Sequence, residues 1–323
     1  MQTIVNRRSF LKTAAGAAAL ASAANSALAA GRGMFVSMRN LNGFWAAGAP
    51  PWSFEWPELL RLAARAGYGG VDIQPAVITS MMKDGPEKVR AQLSELKLKP
   101  GFVNSPVNPF ARDEAAFQTP LKTFDEFCKF VSAIGFERMM TVMYTSSDTP
   151  KDEMRKMALD RARAAGEILV RHKLRVGIEN LAPLHFRTQF KYPFIYTVPD
   201  VVAFCKEAGP SWGLCLDAWH WHHSGGTVKD ILDAGKSQVI VVHIEDAKQQ
   251  PPEEVRDNLR LLPGEGVINL DGFLKALKKI GYEGQIEPEP LSRFPVGTSP
   301  AEVAKKELEA TLAVMKKAGI KPA

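Results

Sequence analysis

The chain has 323 residues, of which 46% are hydrophobic and 24% charged, with a formal net charge of +6 at pH 7. That composition is ordinary for a globular chain and excludes a disordered, collagen-like or disulfide-dense protein. The excess of base is too mild and too scattered for a nucleic-acid surface, and half of it (Arg7, Arg8 and Lys12) sits in the first 29 residues.

Those residues read as an address rather than as fold. Asn6-Arg7-Arg8-Ser9-Phe10-Leu11-Lys12 precedes an uncharged Ala-rich run that ends in Ala27-Leu28-Ala29. A basic head, a short apolar stretch and an A-x-A site make an export signal, and the paired arginines resemble the twin-arginine type. The run is too short and too rich in small residues to span a bilayer. The expectation is a signal over residues 1–29 and one catalytic domain over 30–323. Such a protein is exported folded to the periplasm and keeps no membrane segment. Cys128, Cys205 and Cys215 show no CxxC or zinc spacing and are expected as small core hydrophobes.

Beyond Arg32, short apolar runs alternate with amphipathic stretches to the end of the chain. Met34–Met38 is a first predicted strand, followed by a helix through Glu58–Ala64 that closes at Gly67. Strands at Gly69–Gln74, Gly101–Asn104, Arg138–Tyr144, Leu174–Glu179, Trp212–Asp217 and Gln238–His243 follow, and the eighth carries Glu289. Between them the pattern predicts helices over Glu87–Leu98, a long one over Ala115–Ile134, then Lys151–His172, Val198–Gly209, Val228–Ala234 and Leu270–Ile280. Ser299-Pro300-Ala301-Glu302 has capping-box spacing and opens the last helix, which runs to Ala318. Eight strand-then-helix units with no linker predict a single (β/α)8 TIM barrel, with a doubly wound open sheet as the alternative.

Four side chains sit at the ends of successive predicted strands: Glu179, Asp217, His243 and Glu289, separated by 38, 26 and 46 residues. A barrel spends roughly 31 residues per unit, so the spacing predicts one such residue per consecutive strand at the C-terminal rim. Three carboxylates and one imidazole there form a divalent-metal site. Taken singly, Glu179 is more readily explained as a cap or an ion-pair partner, and each of the four is a weak signal; four on consecutive strand ends are not. Asp246 and Glu245 are candidates to orient the His243 ring, and His220 is a candidate either to support a metal ligand from behind or to contact substrate. His222 and His223 read as solvated loop residues. Trp45, Trp52, Trp219 and Trp221 fall in loop-like positions suited to a sugar face or to packing. On strand eight, Glu287 and Glu289 share a face; Glu289 is expected at the rim and Glu287 a layer deeper in a structural role.

The motifs GIEN at 177–180, LDAWH at 216–220, VHIED at 242–246, PGEG at 263–266 and GYEGQIEPEP at 281–290 resemble the sugar phosphate isomerase/epimerase group of xylose isomerase-like TIM barrels. The resemblance covers most of the second half of the chain. It implies one divalent ion (Mn, Mg, Co or Fe, with Zn also compatible) on Glu179, Asp217, His243 and Glu289, with Glu179 and Glu289 as the proton-transferring pair. It further implies a small carbohydrate substrate near His220, Trp219, His185 and Lys248, and leaves a homo-oligomer open. His185 stands where ketose epimerases have a second glutamate, and Lys248 near where they carry an arginine. The implied activity is a metal-dependent isomerase or epimerase on a free sugar derivative. The alternatives are a lyase or dehydratase on a keto-glycoside or inosose, and a non-catalytic sugar-binding barrel.

Overall fold

A computed structural model describes residues 33–41, 52–291 and 294–323. The predicted signal over 1–29 and Trp45 lie outside the described residues. Eight parallel strands close into a barrel in chain order: β1 Met34–Met38, β2 Gly70–Ile73, β3 Lys99–Asn104, β4 Arg138–Met143, β5 Arg175–Asn180, β6 Trp212–Asp217, β7 Val239–Ile244 and β8 Gly284–Pro288. β8 returns to pair with β1, with Met34 opposite Gly284. The main outer helices are α1 Trp56–Ala66, α2 Pro86–Glu95, α3 Phe124–Ala133, α4 Lys151–Arg171, α5 Val198–Ala208, α6 Val228–Gln238, α7 Leu270–Lys279 and α8 Pro300–Lys317. The predicted barrel is therefore the observed fold.

Local chemistry sets these elements. α1 starts with a Glu55/Glu58 capping box and a proline in its first turn, and stops at Gly67, whose φ of 95° suits only glycine well. α8 starts on the Ser299/Glu302 capping box that the sequence announces. β7 is β-branched through Val239-Ile240-Val241-Val242 because both of its faces are covered. Two expectations change. The long helix over 115–134 is two helices, Glu114–Leu121 and α3, with the break just after Pro120, which offers no backbone N–H to continue a helical ladder. α6 runs past Ala234 to Gln238 across a kink at Gly235, where φ is 68°.

Four short elements beyond the eight units crown the barrel mouth or its edge: helices Pro75–Met81, Leu184–Arg187 and Ala218–His223, and a two-stranded ribbon pairing Ser146–Ser147 with Tyr192–Pro193. The main apolar core lies between the barrel and its helices, and it takes in Cys128 and Cys205 as the sequence predicts. A smaller cluster of Phe102, Met140, Cys215, Ile240 and Val241 packs against the underside of the site described below. Among the described residues, no helix is long and apolar enough to cross a membrane.

Candidate metal centre

Inward-facing residues of consecutive strands place the site. Asp217 ends β6, His243 is the penultimate residue of β7, and the two are direct partners in the parallel register. Glu179 is the penultimate residue of β5, and Glu289 follows β8 by one residue. Each strand contributes at its C-terminal end, as barrel sites do. One oxygen from each carboxylate and one ring nitrogen of His243 all lie within 4.8 Å of one another. The convergence is on the Nδ1 side of the ring: Glu179 Oε1 is 2.9 Å away, Glu289 Oε2 3.6 Å and Asp217 Oδ2 3.7 Å.

An unpredicted cation stands beside them. Arg260, only 2% exposed at its side chain, directs Nη1 to Glu289 Oε2 at 2.7 Å, to Asp217 Oδ2 at 3.0 Å and to Glu245 Oε2 at 3.5 Å. Its Nη2 meets Asp257 Oδ1 at 2.8 Å and His220 Nε2 at 3.2 Å. Its plane rests over the Trp219 ring, 4.9 Å from the centroid. The loop that delivers it is built by two of the sequence motifs. Asp246 pairs with Leu261 through both backbone hydrogen bonds, and its carboxylate accepts the N–H groups of Ala247, Gly264 and Ile268. A side chain at Gly266 would strike Asp246 and Ala247, so the glycine of PGEG lets the loop close. Asp246 therefore shapes the Arg260 loop and does not orient His243. Glu245 does not either: its Oε1 accepts the Trp219 N–H at 2.6 Å, and its other oxygen faces Arg260.

The remaining candidates divide. His220 is 1% exposed and lies between Arg260 and the Ala182 backbone. His185 sits half-buried on the Leu184–Arg187 helix at the mouth, its Nδ1 buried without a hydrogen-bond partner; burial, with nearby Arg256, lowers its pKa. Lys248 is exposed on the loop after β7, and Arg260 occupies the cationic position for which the nearer lysine is the obvious choice in sequence. Trp219 is 1% exposed and serves as the floor under Arg260, because Asp217 caps a short helix, accepting the His220 N–H, that turns the tryptophan inward. Trp221 is buried as well, while Trp52 packs on Phe54. His222 and His223 are half-buried on that same helix rather than solvated, and burial drops the His223 pKa to about 3. Cys215 is a core residue as expected, yet its Sγ lies 3.8 Å from the His243 ring, and burial pushes the thiol far up, so it stays protonated.

Glu287 departs from its expected place. It is the register partner of His243, and its Oε2 meets the far ring nitrogen, Nε2, at 3.0 Å. Six carboxylates (Glu179, Asp217, Glu245, Asp257, Glu287 and Glu289) thus surround one imidazole and one guanidinium. The electrostatics register this shortage of positive charge. Burial alone would raise the Asp217 carboxyl, but Arg260, His220 and His243 overcome it and hold it well below the usual range. Burial lifts Glu289 to about 8 against the pull of Arg260 and His243, with Glu179 and Glu287 adding to the rise. Burial also drives Glu245 well up, with Asp217 adding to it. For His243 burial works downward, and the Glu287 and Glu289 carboxylates beside it reverse that to a value well above normal.

The donor set fits a divalent ion. Ligands on opposite sides of an ion at about 2.4 Å are about 4.8 Å apart, and the four ligand atoms all fall within that limit. Oxygen-rich donors with one imidazole suit hard and borderline divalent ions. The excess of buried carboxylate is what such an ion would neutralise.

A closed parallel barrel with this acidic constellation at its C-terminal mouth falls among the α/β barrels that carry their chemistry on the rim. The chain belongs to the xylose isomerase-like TIM barrel family, which it matches over residues 60–317. It is similar to the inosose isomerase of Halalkalibacterium halodurans, 25% identical over 267 residues that make up 80% of this chain and 90% of that one. A xylose isomerase domain protein from Alicyclobacillus acidocaldarius superimposes with a TM-score of 0.74 at 25% identity, over 88% of this chain and 99% of that one. The IOLI protein, whose structure holds a zinc atom, gives a TM-score of 0.68 at 22% identity, over 82% and 94% of the two chains.

Proposed function

We propose that this chain is a divalent-metal-dependent isomerase or epimerase that abstracts the proton α to the carbonyl of a free polyhydroxylated ketone, such as an inosose, a ketose or a keto-glycoside. Glu179, Asp217, His243 and Glu289 hold one ion: Mn, Mg, Co or Fe, with Zn compatible. The observation that carries the reading is the convergence of their four ligand atoms within 4.8 Å at the barrel mouth. The zinc atom of the IOLI protein and the inosose isomerase relative support it.

When bound, the ion supplies positive charge beside the substrate carbonyl and its neighbouring hydroxyl, where negative charge grows as the proton leaves. Glu179 and Glu289 flank that volume; one takes the proton and the other returns one to the opposite face or to the next carbon. Arg260, backed by His220, is buried behind this volume and holds the Asp217 and Glu289 carboxylates in place, and His185 stands half-buried at the mouth as the candidate hydroxyl contact. If the β-carbon carries a leaving group, the same abstraction leads to elimination.

The test is incubation of the metal-loaded protein in D2O with inososes, ketoses and keto-glycosides. Deuterium at a carbon α to the carbonyl identifies substrate and reaction together, and no exchange across the panel would count against proton abstraction. Elemental analysis should find one ion per chain. Asp217→Ala and His243→Ala should lose it while keeping the barrel's circular dichroism. Full occupancy in both variants would remove this ligand assignment.

We propose also that the Arg7-Arg8 signal exports the folded chain to the periplasm, where free sugar derivatives, rather than phosphorylated ones, are at hand. Arg7→Lys together with Arg8→Lys should strand the protein in the cytoplasm. Undiminished periplasmic accumulation of the double variant would show that another route is used.

A further inference from the structure

We propose that Glu287 is the positioning residue of His243, accepting the proton on Nε2 and so committing Nδ1 to the ion. The inference rests on the metal reading above.

The register sets up the contact. Asp217, His243 and Glu287 are level across β6, β7 and β8, so Glu287 stands beside the imidazole and not beneath it. The two edges of the ring then face different things. Nδ1 looks toward Glu179, Asp217 and Glu289, whereas Nε2 looks toward Glu287 Oε2 at 3.0 Å. A neutral imidazole ligates through one nitrogen and keeps its proton on the other. The acceptor for that proton decides which nitrogen is which and makes the ligating one more basic.

The nearby acids that could compete for this role are engaged. Glu245 is held by the Trp219 N–H and by Arg260. Asp246 accepts three backbone N–H groups of its own loop. Asp72 accepts the Ser37 hydroxyl and the Phe102 N–H. Glu287 Oε2, like Glu245 Oε2, is buried without a hydrogen-bond partner, but it is the one that lies 3.0 Å from Nε2: the approach has the distance but not the angle, so a modest turn of the ring completes it. Phe102, 5.5 Å from the imidazole centroid, and Cys215 Sγ, 3.8 Å from Nε2, bracket the ring. A carboxylate kept only for packing would be a poor choice here, since an unpartnered buried acceptor is costly and an apolar side chain would fill the same space.

The experiment measures the affinity of the full chain for Zn(II) alone, by competition with a chromophoric chelator, in wild type, Glu287→Ala, Glu287→Gln and Asp217→Ala. Glu287→Ala should weaken binding roughly 10- to 100-fold, the range for losing such an acceptor. Glu287→Gln should lose less, because its amide oxygen still accepts the Nε2 proton. In the zinc-loaded wild type, 15N NMR should place the His243 proton on Nε2 and protect it from exchange, and Glu287→Ala should remove the protection. A merely structural Glu287 would lower the melting temperature of the metal-free protein and leave the zinc affinity of the folded fraction unchanged. Affinities within twofold of wild type in both Glu287 variants, with Asp217→Ala losing zinc, would overturn the role of Glu287 alone. Wild-type zinc affinity in Asp217→Ala would instead overturn the metal reading, and this inference with it. If Glu287→Ala does not fold, Glu287→Met, which fills the same space without an oxygen acceptor, decides by the same twofold criterion.

Discussion

Glu289→Gln is expected to keep the barrel folded and to abolish exchange of solvent deuterium into substrate, a loss of at least roughly 10²- to 10⁴-fold, the usual contribution of a positioned acid or base. Glu289 lies one residue beyond β8, with its side chain 24% exposed, so the amide replaces it without disturbing the core. Arg260 keeps Asp217 and Asp257 as partners when the Glu289 charge is gone. Two functions are removed at once: a carboxylate oxygen facing His243 Nδ1 at 3.6 Å, where the ion would sit, and a group able to carry a proton. Excess metal separates them. If weak ion binding were the whole defect, saturating metal would restore exchange; a missing proton carrier leaves exchange dead at any metal concentration. Exchange at the wild-type rate without added metal would show that Glu289 has neither role.

How much of this was readable in the chain depends on the range of the interactions involved. The barrel was legible because each strand is an apolar run set off from an amphipathic stretch, and the ends of β5, β6 and β7 are marked by the acid or imidazole that breaks the run. The short helix Ala218–His223 was not, since it exists because Asp217 caps it, and its consequence is that Trp219 turns inward under Arg260. Arg260 was missed for a longer-range reason. It lies on irregular chain, preceded only by a 3-10 turn over Asp257–Leu259, and the Asp246 bridge to Leu261 folds it back over the mouth. Proximity in sequence favoured Lys248, which is exposed. The available signal was an arginine with an acid three residues earlier, immediately before the apolar pair and PGEG. Glu287 shows the limit of strand periodicity: alternation gave its face correctly, but its level depends on the stagger between strands, and that sets it opposite His243.

Removal of Arg260 should turn the protein into one whose stability depends on metal. Its guanidinium is the shared partner of Asp217, Glu245, Asp257 and Glu289, and burial leaves almost no water to replace it. Taking away one member of a buried ion pair costs about 3–5 kcal/mol because the other is left uncompensated. In a chain of this size that lowers the melting temperature of metal-free Arg260→Ala by about 10 °C. A divalent ion among Glu179, Asp217, His243 and Glu289 neutralises two of the carboxylates that Arg260 serves, and it stabilises only the folded state, by about 4 kcal/mol at a thousandfold excess over its Kd. The guanidinium and the ion therefore compete for Asp217 and Glu289. Without Arg260 the ion should bind more tightly, and the melting temperature should rise more on adding Zn(II) or Mn(II) than it does in wild type. Thermal melts of both proteins with chelator and with saturating metal read the effect directly. Equal metal-induced shifts in the two would mean that Arg260 and the ion do not share their carboxylates, and the charge balance drawn for this site would have to be redrawn around a different cation position.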